Sequence, residues 1–546
     1  MSLVKFVEFL FIFLYLLPFM TALCCMFPVC RHICFLCMLY FTSNEFSLNF
    51  VPMPSWRGTA RGYAFTAVSL FAVPLLASMV FSPKHKVRWF PPGALFYFLY
   101  FISVVLSGIN AIHMHQWGFE VYKMFWMYIT FLAAFNYLNN CKNLVLFVYA
   151  VALTLIILFL VGFYQKYRMG IFQIHSTFPH QNSLSLYLEL FGLLMLGVLM
   201  NERMSKLLFF LVMCAFGGSV LLIIFTYSRG GLVIYFGGIA IVCALSILFN
   251  GFSVRRLILM AIGLAVMLSV IGYALPRIIL RFTKAPEASK NTRIYLAIAA
   301  RRMADDFTFG VGANNFSEYS SARWSYAKEN NEAHYDDGPV VETIYLLVAA
   351  ECGWGGLVIL LLWFLYYYLS DTISIFVLRK KPCSGIVIGL FGGLTCNYWH
   401  STLEWSLKQF NNFAGQMILY ALIGVIAVNR KNIKLAYQHT LELEEALGKK
   451  GRRRRSKMRR GIRDYSLPAP APAPAPAEPS LPETGSQMMV PAPDSAAETP
   501  IPEGNPLQFD EQGVQSPVIE SPEIPDPEPA SEPFSDPASE SASEPV

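Results

Sequence analysis

The stretch KLLFFLVMCAFGGSVLLIIFTYSRGGLVIYFGGIAIVCALSILFN, from Lys206 to Asn250, decides the fold class. It contains two apolar runs, and the only charged residue after Lys206 is Arg229, in the short turn that joins them. A run of about 20 apolar residues at ~1.5 Å per residue covers the ~30 Å hydrocarbon core of a bilayer. Each run therefore predicts a membrane-spanning helix.

Similar runs recur along much of the chain. Of its 546 residues, 55% are hydrophobic and 14% are charged, whereas soluble globular proteins carry about 25% charged residues. A charge at the centre of a membrane helix costs about 2.5–3.5 kcal/mol, and here the charges fall mostly between the apolar runs. We predict an all-α polytopic membrane protein with about 12 transmembrane helices, near 4–27, 64–81, 94–112, 124–138, 143–164, 183–200, 206–225, 231–249, 255–275, 340–368, 384–398 and 412–428.

The N-terminal run is interpreted as an uncleaved first helix, because no small-x-small cleavage site follows it. The next apolar segment, 30–43, is short. It extends the first span, lies in the interface or re-enters the membrane. Cys30, Cys34 and Cys37 share one helical face there, but small polarizable residues that pack in a membrane helix account for them, so no metal site is predicted.

Basic residues in short loops indicate the orientation, because such loops favour the cytoplasm. If the spans alternate, five basic sites fall on one side and both termini are cytoplasmic. The five sites are Pro83–Pro92, Asn201–Lys206, Ser253–Arg256, the loop that holds Arg379 to Lys381, and the C-terminal basic block.

We predict that the transmembrane domain covers residues 1–430 and that two further parts follow it. The first is a basic juxtamembrane segment, 431–465, in which Lys449–Arg463 is expected to bind anionic lipids. Nucleic-acid binding is not expected from a basic run beside a membrane span. Residues 466–546 are rich in Pro, Ala, Glu and Ser, a composition that predicts a disordered tail.

Two loops on the other side carry groups suited to binding an anion. Arg168, His180 and Asn182 precede a span, and polar donors at a helix N-terminus favour an anion. Arg229 follows Ser228 in the turn between two spans. Arginine binds phosphate bidentately, so Arg229 is suited to the diphosphate of a lipid carrier; the alternative is an arginine that snorkels at a helix end.

The longest loop, 276–339, is expected to hold a helix near 291–305 that carries Arg293. The GVGANNF segment, which includes Asn315, predicts a tight turn and is not a nucleotide-binding fingerprint. Glu342 lies at the mouth of the next span and Glu351 about two turns further on. A partly desolvated carboxylate suits general-base work; alternatively, these acids pair with the loop arginines.

Taken in order, these motifs resemble the O-antigen ligase and polymerase family of bacterial membrane glycosyltransferases. The similarity covers about 160–430 and consists of an Arg, a turn with Asn, SRG, GVGANNF and a final span that reads ETIYL through AECGWGGL. The resemblance implies transfer of a glycan from a polyprenyl-diphosphate carrier to a hydroxyl of a glycolipid, a growing glycan or a protein. It implies a bacterial inner-membrane location and neither cofactor nor metal.

The resemblance also implies roles for particular residues. Arg168, Arg229 and Arg293 would bind the diphosphate, supported by His180, Asn182, Ser228, Asn315 and Glu351. The family's His-Asn base site aligns with Glu342-Thr343 here, so that either Glu342 replaces the imidazole as the base or His334 reaches in from the loop.

Two other classes of function remain as alternatives. One is a transporter or flippase of lipid-linked glycans, which midspan charges and two similar halves with broken helices would favour. The other is a membrane scaffold that recruits partners through its Pro-rich tail.

Overall fold

The computed structural model describes residues 3–83, 85–140, 143–261, 263–265, 268–269, 272, 287–321, 323–327 and 339–446. His334, the predicted tail and parts of the predicted span 255–275 lie outside these residues. The described part is mostly helical: α1 Leu3–Phe11, α2 Leu17–Met26, α3 Pro28–Tyr40, α4 Ala67–Val80, α5 Ala94–Leu106, α6 Met114–Leu138, α7 Asn143–Tyr167, α8 Gln181–Asn201, α9 Lys206–Thr226, α10 Arg229–Asn250, α11 Glu287–Asp306, α12 Phe316–Tyr319, α13 Ile344–Val377, α14 Ser384–His400 and α15 Phe410–Ala446.

The helices fit a polytopic membrane protein. In the described ranges, seven are long and apolar enough to cross a membrane: Val4–Met26, Asn143–Tyr167, Gln181–Asn201, Lys206–Thr226, Arg229–Asn250, Ile344–Val377 and Phe410–Leu435. Three apolar helices are shorter, at Pro28–Ser43, Ala67–Val80 and Ala94–Asn110. The helical class is confirmed, and the number of spans stays a prediction. Strand is limited in the described residues to a short antiparallel pair, β1 Ser47–Asn49 and β2 Ala64–Thr66.

The chain reverses direction after its first long helix. Phe13 packs on Phe65 in β2. The guanidinium of Arg31, at the start of α3, instead donates to the carbonyl of Ser78 near the far end of α4. The helical run Val4–Met26 and α3 therefore form an antiparallel hairpin, broken at Phe27, whose extended backbone precedes Pro28. Segment 30–43 is thus a return helix, not an extension of the first.

The hairpin determines at which end of the bundle the described chain begins. The first helix begins at the end of the bundle that holds β1 and β2. The last helix, α15, runs to the opposite end, where Asn429 donates to Asn139 beyond α6. The two ends of the described chain thus lie at opposite ends of the bundle. This arrangement follows from the reversal at Phe27, which makes segment 30–43 re-enter the bundle, one of the three predicted alternatives. On which side of a membrane the termini lie stays a prediction.

Helix α8 lies at the centre of the bundle and packs closely against α14. A Cβ at Gly389 would lie 2.7 Å from Cα of Leu194, and one at Gly197 would lie 2.3 Å from the carbonyl oxygen of Gly385. Glycines let the two backbones approach, as in many membrane helix pairs. This packing brings the N-terminal half of α8 against the C-terminal end of α14.

The GVGANNF turn docks onto a kink in α13. Gly353 interrupts that helix with φ of 74°, and the amides of Val311 and Gly312 donate to the carbonyls of Ala350 and Glu351 at 2.8 and 3.1 Å. The turn thus binds carbonyl groups at the kink. The predicted helix near 291–305 is present as α11 and packs on α13.

Candidate functional site

A cluster of ionisable and polar side chains lies where α8, α11 and α13 meet the end of α14. We call it the carboxylate cluster. It comprises Asn182, Glu189, Arg293, Glu342, His400 and Glu404.

The base of the cluster is a buried pair between α8 and α14. The Nδ1 atom of His400 lies 2.7 Å from Oε1 of Glu189, and both side chains are almost fully buried. The other carboxylate oxygen, Oε2, has no hydrogen-bond partner among the described residues. Contact with Glu189 at Nδ1 fixes the orientation of the imidazole and directs Nε2 away from α8.

Glu404 lies in the loop after α14, closer to the surface. The side-chain amide of Asn182 donates to its carboxylate. Burial, together with the neighbouring carboxylate of Glu342, raises the pKa of Glu404 to about 7, although Asn182, His400 and Arg293 act in the opposite direction. A carboxyl group that titrates near neutral pH can both accept and release a proton.

Arg293 and Glu342 form the exposed edge of the cluster. Their Nη2 and Oε2 atoms lie 2.6 Å apart, and the side chains are 46% and 38% exposed. Exposure then falls along the cluster, to 8% for Glu404 and 1% for His400. The ionisable groups thus form a path from the surface to the interior.

The SRG turn borders the buried part of this path. Ser228 caps α10, its hydroxyl accepting from the amide of Gly231 at 3.3 Å. A Cβ at Gly230 would lie 3.5 Å from Nε2 of His400. Arg229, the first residue of α10, is therefore adjacent to the cluster, at a helix N-terminus whose dipole also favours an anion.

The loop that holds Arg168 lies alongside the same turn. The amide of Ile174 donates to the carbonyl of Phe225 at 3.3 Å, and the side chain of Gln173 donates to that of Thr226. Arg168 itself is exposed, and no ion pair joins it to the described residues of the cluster. His180 caps α8 by accepting from the amide of Asn182 at 3.3 Å.

Two predicted supporting residues lie in other surroundings. The side chain of Asn315 accepts from the amide of His113 at 2.8 Å and so fixes the GVGANNF turn to the start of α6. Glu351 is buried and pairs with Lys408 at 2.7 Å. Lys408 also contacts Glu120, which pairs with Lys123, so that two acids and two lysines form one buried network.

The pairing alternative is thus realised for Glu342, whose partner is the loop arginine Arg293. For Glu351 the partner is a lysine. In the described part of the chain, no group of three His, Cys, Asp or Glu side chains is placed to hold a metal ion. The sulfur atoms of Cys24 and Cys34 lie 3.4 Å apart between α2 and α3.

Sequence reasoning missed Glu189, His400 and Glu404. Glu189 was detectable as an acid inside an apolar run, which is a functional candidate by default. His400 and Glu404 follow a predicted span with a spacing of four residues. Their convergence with Glu189 depends on the packing of α8 on α14, which local sequence does not reveal.

The fold and this cluster define a polytopic helical membrane protein with cationic and acid–base groups at one end of its bundle. Residues 212–361 match the family model described as O-Antigen ligase. The match includes Arg229, Arg293, Glu342 and Glu351, confirms the predicted resemblance and supports a ligase- or polymerase-type function in polysaccharide biosynthesis. The cluster residues Asn182, Glu189, His400 and Glu404 lie outside the matched segment. No curated protein matches the chain.

Proposed function

We propose that this chain transfers a glycan from a polyprenyl-diphosphate carrier to an acceptor hydroxyl, in the inner membrane of a bacterium and on its outer face. The observation that carries the proposal is that Arg293 and the turn that holds Arg229 adjoin Glu404 and its neighbour His400. Glu404 is a carboxyl group whose pKa lies at about 7. Such a site combines charge stabilisation of a leaving group with a base for the nucleophile.

The arginines supply the diphosphate site. Arg229 lies at the N-terminus of α10, and Arg293 projects from α11 to the exposed edge of the cluster. Arg168, in the adjoining loop, is the third cation in this proposal. An incoming diphosphate competes with Glu342 for Arg293. The diphosphate gains negative charge as the glycosidic bond breaks, and the arginines then bind it more strongly.

The pair Glu342 and Glu404 supplies the base. The acceptor hydroxyl attacks the anomeric carbon, the bond from that carbon to the diphosphate oxygen breaks, and the hydroxyl proton passes to a carboxylate. Glu404 suits this role because its pKa is near neutrality, whereas the carboxylate of Glu342 is paired with Arg293. Glu342 is the neighbour whose charge raises the proton affinity of Glu404. His334 retains its proposed role as an alternative base.

The proposal is tested by substituting a diphosphate-binding residue and a carboxylate in turn, and by measuring surface polysaccharide when each variant is expressed in a deletion strain. Arg229→Ala is expected to reduce surface polysaccharide by a factor of about 100 to 1,000, the usual effect of losing one transition-state contact. Glu342→Gln is expected to reduce it less, because Glu404 remains. The matched control is Arg379→Ala, at the opposite end of the bundle. This variant should produce a normal amount of surface polysaccharide. Full transfer by both site variants at normal protein levels would overturn the assignment.

A further inference from the structure

A second cationic site lies at the other end of the bundle, in the part that the basic loops mark as cytoplasmic. An open groove of about 280 Å³ is lined by Met204, Lys206, Phe209 and Arg255. We call it the basic groove. Helix α9 has 21 residues and separates this groove from the SRG turn by about 30 Å, at ~1.5 Å per residue. The two sites are therefore distinct.

Arg255 is held in place before any ligand binds. Its guanidinium donates to the carbonyls of Leu199 and Glu202 at the end of α8, where the helix dipole favours a cation. The ring of Phe209 lies 5.1 Å from its Cζ atom. The guanidinium is therefore held in a fixed orientation at the wall of the groove.

Cations outnumber acids around the groove. Glu202 interacts electrostatically with Arg255, but so do the cations Arg203 and Arg256. Lys206 and Arg255 form no ion pair in the part of the chain that the structure describes. Glu202, the nearest acid in sequence, accepts from the amide of Gly385 at 2.7 Å. Arg256 adds a further cation, whose guanidinium donates to the carbonyls of Asn250 and Gly251. Two cations that face an open groove in this way favour an anionic ligand.

The surroundings show what kind of anion fits. Met204 and Phe209 form apolar walls, and the neighbouring Leu207 and Phe210 are exposed on α9, as expected of side chains that contact lipid. We propose that the basic groove binds the phosphate of an anionic phospholipid, with its acyl chains along the exposed face of α9. The residues that line the groove are distinct in sequence from those of the basic juxtamembrane segment.

Photoaffinity labelling tests the proposal on the full chain. The protein is placed in phosphatidylcholine nanodiscs with a photoactivatable phosphatidylglycerol, and the labelled peptides are mapped by mass spectrometry. Label is expected at 204–210 and around Arg255. Lys206→Gln should lower this labelling about fivefold, since one basic residue at an anionic surface contributes about 1 kcal/mol. Lys431→Gln, an exposed lysine near the same end, should leave it unchanged.

Three results would overturn the proposal. They are equal labelling of 204–210 by a photoactivatable phosphatidylcholine, unchanged labelling in Lys206→Gln, and displacement of the lipid probe by millimolar inorganic phosphate, which would indicate a soluble ligand. Because the readout is the position of the label, the outcome does not depend on glycan transfer.

Discussion

Glu404 lies between an exposed carboxylate, Glu342, and a buried imidazole, His400. Its neighbours explain its chemistry. Burial and the charge of Glu342 favour the protonated form, while Asn182 donates to the ionised form. The result is an acid whose protonation state changes near neutral pH, which is the condition that makes a general base effective.

The pH dependence of transfer follows from this environment. Since Glu404 is protonated below about pH 7, the rate in reconstituted membranes should rise with pH through that value. Glu404→Gln should remove the rise and lower the rate by about 100- to 10,000-fold, the usual contribution of general-base catalysis. Glu342→Gln should move the midpoint to lower pH, because it removes the charge that raises the pKa of Glu404. An unchanged midpoint in Glu342→Gln would contradict this account.

At the scale of the element, the pairing of α8 with α14 assembles the site. Glu189 and His400 are 211 residues apart in sequence, and they meet because Gly197, Gly385 and Gly389 permit close backbone contact. The amide of Ile344, at the start of α13, and the side chain of Thr343 donate to the carbonyl of Ser401, next to His400. These two hydrogen bonds hold the start of α13, and with it Glu342, beside the C-terminal end of α14.

Enlarging this interface should therefore separate its two halves. In Gly389→Ala the new Cβ would lie 2.7 Å from Cα of Leu194, and overpacking of this kind costs about 1–3 kcal/mol. We expect a lower midpoint of thermal unfolding in detergent and reduced transfer. Gly237→Ala in α10 is the matched control, because no atom lies within 4 Å of its new Cβ. Equal midpoints of thermal unfolding for Gly389→Ala and Gly237→Ala would contradict this account, because they would show that the interface between α8 and α14 accommodates an extra methyl group.

The sequence predicted well what depends on local pattern. Helix α11 was predicted from its own segment and is present. Arg229 and Arg293 were chosen as candidates from short motifs, and their role stays a prediction. Glu189 and Lys408 were not chosen, because their significance depends on partners far away in the chain. The reversal at Phe27 was one of three alternatives for segment 30–43, because the apolar character continues through Phe27 and composition alone does not distinguish one long helix from a hairpin.

At the scale of the whole molecule, the hairpin predicts opposite positions for the two ends of the described chain. An epitope before Leu3 should be accessible in intact spheroplasts from the same side as one inserted at the exposed Thr402, next to the cluster. An epitope in the C-terminal region beyond α15 should be protected until the membrane is permeabilised. Accessibility of both termini from one side would confirm the prediction from the sequence and contradict the hairpin.

The whole molecule also separates its two charged regions. Arginines and carboxylates that suit glycan transfer lie at one end, and the basic groove lies at the other, beyond the length of α9. A transporter would need to carry its substrate between these ends, whereas a transferase completes its reaction at one of them. The central claim is that the chemistry takes place at the carboxylate cluster alone.

Reconstitution of the purified full chain with a polyprenyl-diphosphate-linked glycan and an acceptor glycan tests that claim most directly. The assay measures glycosylated acceptor and released polyprenyl diphosphate in vesicles that carry no ion gradient. We predict equal amounts of the two products, at a rate that Arg229→Ala lowers by about 100- to 1,000-fold. Movement of the donor between leaflets without either product, or transfer that Arg229→Ala leaves intact, would contradict the account.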